Sequence, residues 1–123
     1  MKLSEQRVKF TQDCAKLRLF AATLPGYGIA IDDAKRSKSY QKEQSNIKDS
    51  QHLLGLAEDY ILYYKGVYEP AVTPKGKERY RILGEYWESL DILNRWGGRF
   101  GTPKSKYDTE IGYDACHFER MNK

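Results

Sequence analysis

Cysteine and histidine are scarce in this 123-residue chain, with two of each, and long apolar runs are missing altogether. Two cysteines, Cys14 and Cys116, are too few and too far apart for a disulfide framework or a cysteine-rich metal site. Two buried thiols in a reducing compartment are the expectation. No apolar stretch approaches the roughly 20 residues that a membrane helix needs, so the chain is not expected to insert into a bilayer. The segment Met1 to Gln6 turns polar at once and lacks the apolar core and cleavage site of a secretory signal, which implies that any export depends on other machinery.

What is present reads as a globular protein, with 40% hydrophobic and 31% charged residues. A chain of this length predicts one domain, residues 1–123, around a single core. The net charge of +4 favours polyanionic surroundings. Its densest basic groups, Lys35-Arg36-Ser37-Lys38 and Lys75-Gly76-Lys77, are short and scattered, which reads as a solvated surface rather than a nucleic-acid tract.

The apolar pattern predicts an α+β fold. Phe10, Cys14, Leu17, Ala21 and Leu24 recur at helical spacing behind Ser4 as a cap, with Pro25-Gly26 as the stop. Gly28 to Ala34 predicts a short strand that delivers Arg36 to an edge, and Lys35 to Ser50 a surface loop or short helix. Asp59 to Lys65 is rich in β-formers and predicts a central strand with Asp59 at its start. Tyr80, Leu83, Trp87 and Leu90 mark a second helix from about Lys77 to Arg95, ended by Gly97-Gly98. Ile111 to Met121 predicts a last strand carrying Asp114 and His117.

Scarcity makes the two histidines informative. One lies in Ser50-Gln51-His52-Leu53-Leu54-Gly55-Leu56-Ala57-Glu58-Asp59, the other in Asp114-Ala115-Cys116-His117-Phe118-Glu119. Two imidazoles and a carboxylate suit Zn²⁺, which takes nitrogen and oxygen ligands and leaves a fourth position open in catalytic sites. The spacing differs from the helical H-E-x-x-H pair, so the ligands are expected from a loop and the strand after it. Alternation along an extended segment would turn Cys116 away from whatever His117 touches.

These residues carry a family resemblance. Ser50 to Asp59 fills every fixed position of the S-x-H-x-x-G-x-A-x-D motif of VanY-like D-alanyl-D-alanine carboxypeptidases, zinc peptidases that include phage L-alanyl-D-glutamate endopeptidases. Arg36-Ser37-x-x-x-Gln41 resembles the family's R-S-x-x-x-Q, Trp96-Gly97-Gly98 its W-G-G, and Asp114-x-x-His117-Phe118-Glu119 its closing D/E-x-x-H-F-E. The resemblance implies a hedgehog- or DD-peptidase-like domain, a small antiparallel sheet carrying the metal site and packed against helices. It implies that His52, Asp59 and His117 bind Zn²⁺ and that Asp114 is the catalytic base.

Arg36 would stabilise the oxyanion or bind a substrate carboxylate. Ser50 and Gln41 would orient a ligand or substrate, Trp96 would line the substrate groove, and Glu119 would hold a metal-binding histidine or form a salt bridge. Where family members often follow W-G-G with an acidic residue, this chain has Arg99-Phe100, a reversed charge beside the expected cleft.

The functional expectation is a peptidoglycan stem-peptide hydrolase, an L-alanyl-D-glutamate endopeptidase of endolysin type. D-alanyl-D-alanine carboxypeptidase activity is the alternative. A small basic, tyrosine-rich nucleic-acid binder and an inactive metal-stabilised virion protein are the readings from other classes. The expected enzyme is a monomer that binds no nucleic acid, waits in the host cytoplasm and acts on the wall once released.

Overall fold

The computed structural model describes residues 1–32 and 51–122. Helix α1 spans Leu3–Thr23. Its Lys2 N-cap replaces the expected Ser4, and the Glu5 carboxylate accepts from the Lys2 backbone N–H at 3.1 Å. The expected stripe faces inward, with Phe10, Cys14, Leu17 and Ala21 all buried. Gln6 and Asp13 share that buried face, which a hydrophobic pattern cannot reveal.

Strand β1, Tyr27–Ile31, pairs antiparallel with β2, Ala57–Tyr64. β2 begins two residues earlier than expected, so Asp59 lies within the strand rather than at its start. Strand β3, Val67–Glu69, returns on Leu62–Tyr64. The tight turn between them is made by Lys65 and Gly66, both at positive φ.

Helix α2 spans Pro74–Leu90. The Thr73 side chain accepts from the Gly76 N–H at 3.0 Å and Pro74 occupies the first turn, where its missing N–H costs nothing. The helix therefore starts three residues before the expected Lys77. It also ends before Arg95, because Asp91 is already extended. The residues read as its last turn form β4, Asn94–Trp96.

The last strand, β5, is confined to His117–Arg120, so Asp114 precedes it rather than lying within it. The sheet order is β1-β2-β5-β4, with β3 pairing β2 off that path. β2 thus carries β1 along its upper half and β5 along its lower half.

Period-two alternation sorts the side chains of this sheet. Tyr60, Leu62, Phe118 and Trp96 are buried against the helices, where Trp87 meets Phe10 and Phe118 edge-on. Burying a Leu or Phe side chain of this kind stabilises by about 1.5–3 kcal/mol. Asp59, His117 and Glu119 take the opposite face.

A polar cluster ties the far end of α1 to β4 and β5. Asn94 Nδ2 donates to Asp13 Oδ2 at 3.0 Å and to the Trp87 carbonyl at 3.1 Å, while Lys9 reaches Asp13 at 2.8 Å. Arg120 Nε donates to Gln6 Oε1, and Arg120 Nη1 lies 3.0 Å from Asp91. Burial would be costly for each group alone; paired, they fix the helix against the sheet. Asp13→Ala strands the Asn94 amide and is expected to lower unfolding free energy by about 1–3 kcal/mol. Urea denaturation followed by far-UV circular dichroism measures this, and an unchanged midpoint would contradict the assigned role.

Candidate metal centre

The register of β2 with β5 places Asp59 directly opposite His117. The turn at Gln51–Gly55 brings His52 to the same place, closed by Leu56 N–H donating to the Gln51 carbonyl at 2.7 Å, with Gly55 at φ 74°. His52 Nε2 lies 3.1 Å from Asp59 Oδ2, and His117 Nδ1 lies 3.1 Å from Asp59 Oδ1. The two imidazole rings are 5.0 Å apart, and one ligand atom from each of the three residues falls within 4.8 Å of the others.

These dimensions fit a cation. Ligands about 2.0–2.1 Å from a tetrahedral Zn²⁺ stand about 3.3 Å from one another, close to the 3.1 Å seen on both sides of Asp59. The outer nitrogen of His117 supports the same reading. His117 Nε2 is 2.7 Å from Glu119 Oε1, so the ring is oriented by a carboxylate behind it while Nδ1 faces the centre. Glu119 Oε2 also accepts from Arg95 Nη2 at 2.7 Å and Nε at 3.0 Å.

Electrostatics in the metal-free chain follow from this packing. Burial alone would raise the Asp59 carboxyl, but hydrogen bonds from His117 and His52 overrule it and hold Asp59 well below the usual carboxylate range. Burial would likewise lower His117, yet its bonds to Asp59 and Glu119 push it up to about 9. Glu119, despite burial, is held down by His117 and Arg95. Charged His117 therefore stabilises the metal-free fold fully below its ordinary value of 6.5, and that contribution is lost as pH rises through about 9.

Asp114 sits on the turn before β5, where its carbonyl accepts from the His117 N–H at 3.0 Å. Its Oδ2 is 3.9 Å from His117 Nδ1, on the rim of the centre. Gly97 makes this turn possible. A Cβ there would collide with the Asp114 carbonyl and stand 2.9 Å from the His117 Cβ.

Two expectations need correction. Trp96 does not line a groove: it pairs with Phe118 on the helix-facing side and is fully buried. Its Nε1–H donates to the Ala115 carbonyl at 2.6 Å, and its ring packs over Gly84 and Gly98, where a side chain would clash. Cys116 is buried as expected, but it lies in the turn rather than in β5, so alternation does not carry it away. Its Sγ is 3.7 Å from Asp114 Oδ1, and Asp59, Asp114 and Cys116 form a second group of donor atoms within 4.8 Å. Arg36, Gln41 and Ser50 lie outside the described residues, as do the end of the first expected strand and the stretch after it.

Sequence reasoning missed Arg95 and Phe100. The first was hidden by reading β4 as helix. The Phe100 ring lies 5.5 Å from that of His117 and 6.1 Å from that of Tyr113. Two hollows share Tyr113, one lined also by Asp32, Tyr68 and the rim residue Asp114, the other by Arg95, Tyr107 and the Phe100 that neighbours His117. Arg99, the reversed charge, is neutralised by Glu88 at 3.0 Å and stacked over Trp96 and Tyr107.

A profile of the D-alanyl-D-alanine carboxypeptidase family matches residues 43–120, which include His52, Asp59, Asp114, His117 and Glu119. No curated protein sequence gives a significant match.

A cation at His117 Nδ1 must displace the proton that Nδ1 shares with Asp59. Apparent Zn²⁺ affinity is therefore expected to rise about tenfold per pH unit between pH 7 and 8.5, measured by competition with a chromophoric chelator. A flat profile would place the ion elsewhere.

Proposed function

Because the chain belongs to the D-alanyl-D-alanine carboxypeptidase family of peptidases, we propose that it is a Zn²⁺-dependent hydrolase of peptidoglycan stem peptides, cutting the L-alanyl-D-glutamate bond as a phage endolysin does. The observation that carries this reading is the meeting of His52 Nε2, the Asp59 carboxylate and His117 Nδ1 within 4.8 Å, with Asp114 at the rim. The hollows beside the centre support an endopeptidase, which needs room for peptide on both flanks of the scissile bond. D-alanyl-D-alanine hydrolysis is the second reading, favoured by the description of the matching family.

In this mechanism His52, Asp59 and His117 hold the ion, while Glu119 fixes the His117 ring so that Nδ1 is presented. A divalent cation bound there supplies Lewis-acid polarisation of the peptide carbonyl and eases deprotonation of water near neutral pH. Asp114, half-buried at the rim, takes the proton from the attacking water and returns it to the departing amine. Arg36 steadies the developing oxyanion. Phe100 covers one side of His117 and limits entry of bulk water.

No described helix is long and apolar enough to cross a membrane. The reading retains a monomer held in the host cytoplasm and released onto the wall, where the net charge of +4 favours anionic polymers. Nucleic acid is a poorer fit, because Arg79, Arg81, Arg99 and Arg120 are each engaged with a carboxylate.

Digestion of purified peptidoglycan, followed by mass analysis of the new termini, tests this directly. Wild-type protein is expected to release fragments cut between L-alanine and D-glutamate, with activity lost to chelator and restored by Zn²⁺. Asp114→Ala is expected to keep one Zn²⁺ per chain and to lose about 10²–10⁴-fold in turnover. Undiminished turnover by that variant would remove Asp114 from the mechanism.

A further inference from the structure

Arg95 and Arg99 border the same hollow, of about 410 Å³, yet they stand in different states. The Arg99 side chain is only 12% exposed, and every nitrogen of its guanidinium is engaged, Nε and Nη2 by Glu88 and Nη1 by the Tyr107 carbonyl at 3.2 Å. The Arg95 side chain is 48% exposed, and Glu119 takes only its Nε and Nη2. Among the described residues no acceptor meets Arg95 Nη1, and the guanidinium lies 4.9 Å over the Phe100 ring.

We propose that this hollow is a carboxylate-recognising subsite anchored by Arg95, which takes the free carboxylate of the residue flanking the scissile bond. The proposal rests on the peptidase reading above and names the chemistry of one side of its substrate.

Two features converge on a carboxylate. First, the pairing of β4 with β5 sets Arg95 opposite Glu119, on the face that carries His117 and Asp59. The guanidinium is thereby linked to the metal centre through Glu119, which binds Arg95 at 2.7 Å and His117 at 2.7 Å. Second, a guanidinium is a planar fork that can satisfy two carboxylates on different edges. Glu119 uses the Nε and Nη2 edge of Arg95, which is also a lining residue of the hollow. Glu119 and Phe100 together hold the fork in one orientation, which reduces the ordering cost of a second partner.

The proposal orients the peptide with its carboxylate-bearing flank toward Phe100. Two sources share this chemistry: the α-carboxylate left free on a γ-linked D-glutamate, and the terminal carboxylate of D-alanyl-D-alanine.

The test uses two matched pairs of synthetic stem peptides. One pair carries γ-linked D-glutamate as its free α-acid or α-carboxamide, and the other ends in D-alanyl-D-alanine as free acid or amide. Binding is measured by calorimetry on Zn²⁺-loaded Asp114→Ala protein, and cleavage by wild-type protein is followed in parallel. In one of the pairs the acid is expected to bind at least tenfold more tightly than its amide, and that pair identifies the source. Adding Arg95→Met is expected to erase the difference, while Arg95→Lys, which keeps the charge and loses the fork, retains part of it. Zn²⁺ content is checked in each variant, and the Lys variant decides the matter if the Met variant loses its ion.

Equal binding of acid and amide, or a preference that survives both substitutions, overturns the subsite. If the preference is present and Arg95-dependent while wild-type protein cuts neither peptide, the subsite stands and the hydrolase reading fails. If wild-type protein cuts acid and amide equally and binds them equally, the hydrolase stands and the subsite falls.

Discussion

The antiparallel register between β2 and β5 governs the whole site. Pairing Asp59 with His117 sets both side chains on one face and leaves Phe118 and Tyr60 for the core on the other. A slip of one residue would reverse every one of these assignments, turning His117 into the helices and Phe118 into the solvent. The register is held by packing as much as by hydrogen bonds. Phe118 cannot leave its contacts with Trp87 and Tyr60 without opening the core. The hydrophobic pattern of a four-residue strand thus enforces the geometry of a polar centre on its reverse side.

The same logic explains why the ends of the sheet carry such different chemistry. Around Asp59, a fully buried carboxylate is flanked by two imidazoles, an arrangement whose charges need either shared protons or a cation for compensation. Around Asp13 and Asn94, buried polar groups satisfy one another directly. That cluster is structural. The other has the geometry of a candidate metal centre, where ion binding would couple to the stability of the strands that present it.

Much of this was legible in the sequence because it repeats or is rare. The stripes of α1 and α2 announced the helices and most of the core, and the motifs around the two histidines, through the family resemblance they carry, singled out His52, Asp59 and His117. Glu119 lies beside His117 because strand alternation returns every second residue to the same face. Short elements were less legible. Asn94–Trp96 has three residues, too few for a period, and it follows a helix closely enough to be read as its continuation. That single error misplaced Trp96 in a groove and concealed Arg95. Cys116 was misjudged for a related reason: alternation was applied one residue beyond the strand that obeys it. Gln6 and Asp13 escaped because their burial depends on partners distant in the chain, Arg120 and Asn94.

The bond between Gln6 and Arg120 joins residues 114 positions apart, and β5 supplies both that contact and His117. Contacts of such separation are slow to form, since most of the polymer must be ordered before they are rewarded. A nascent chain that has emerged only as far as Asp59 carries two of the three side chains of the cluster, and the hydrophobic cover supplied by Phe118 is not yet made. Assembly of the centre is therefore a late event in biosynthesis, coincident with closure of the sheet.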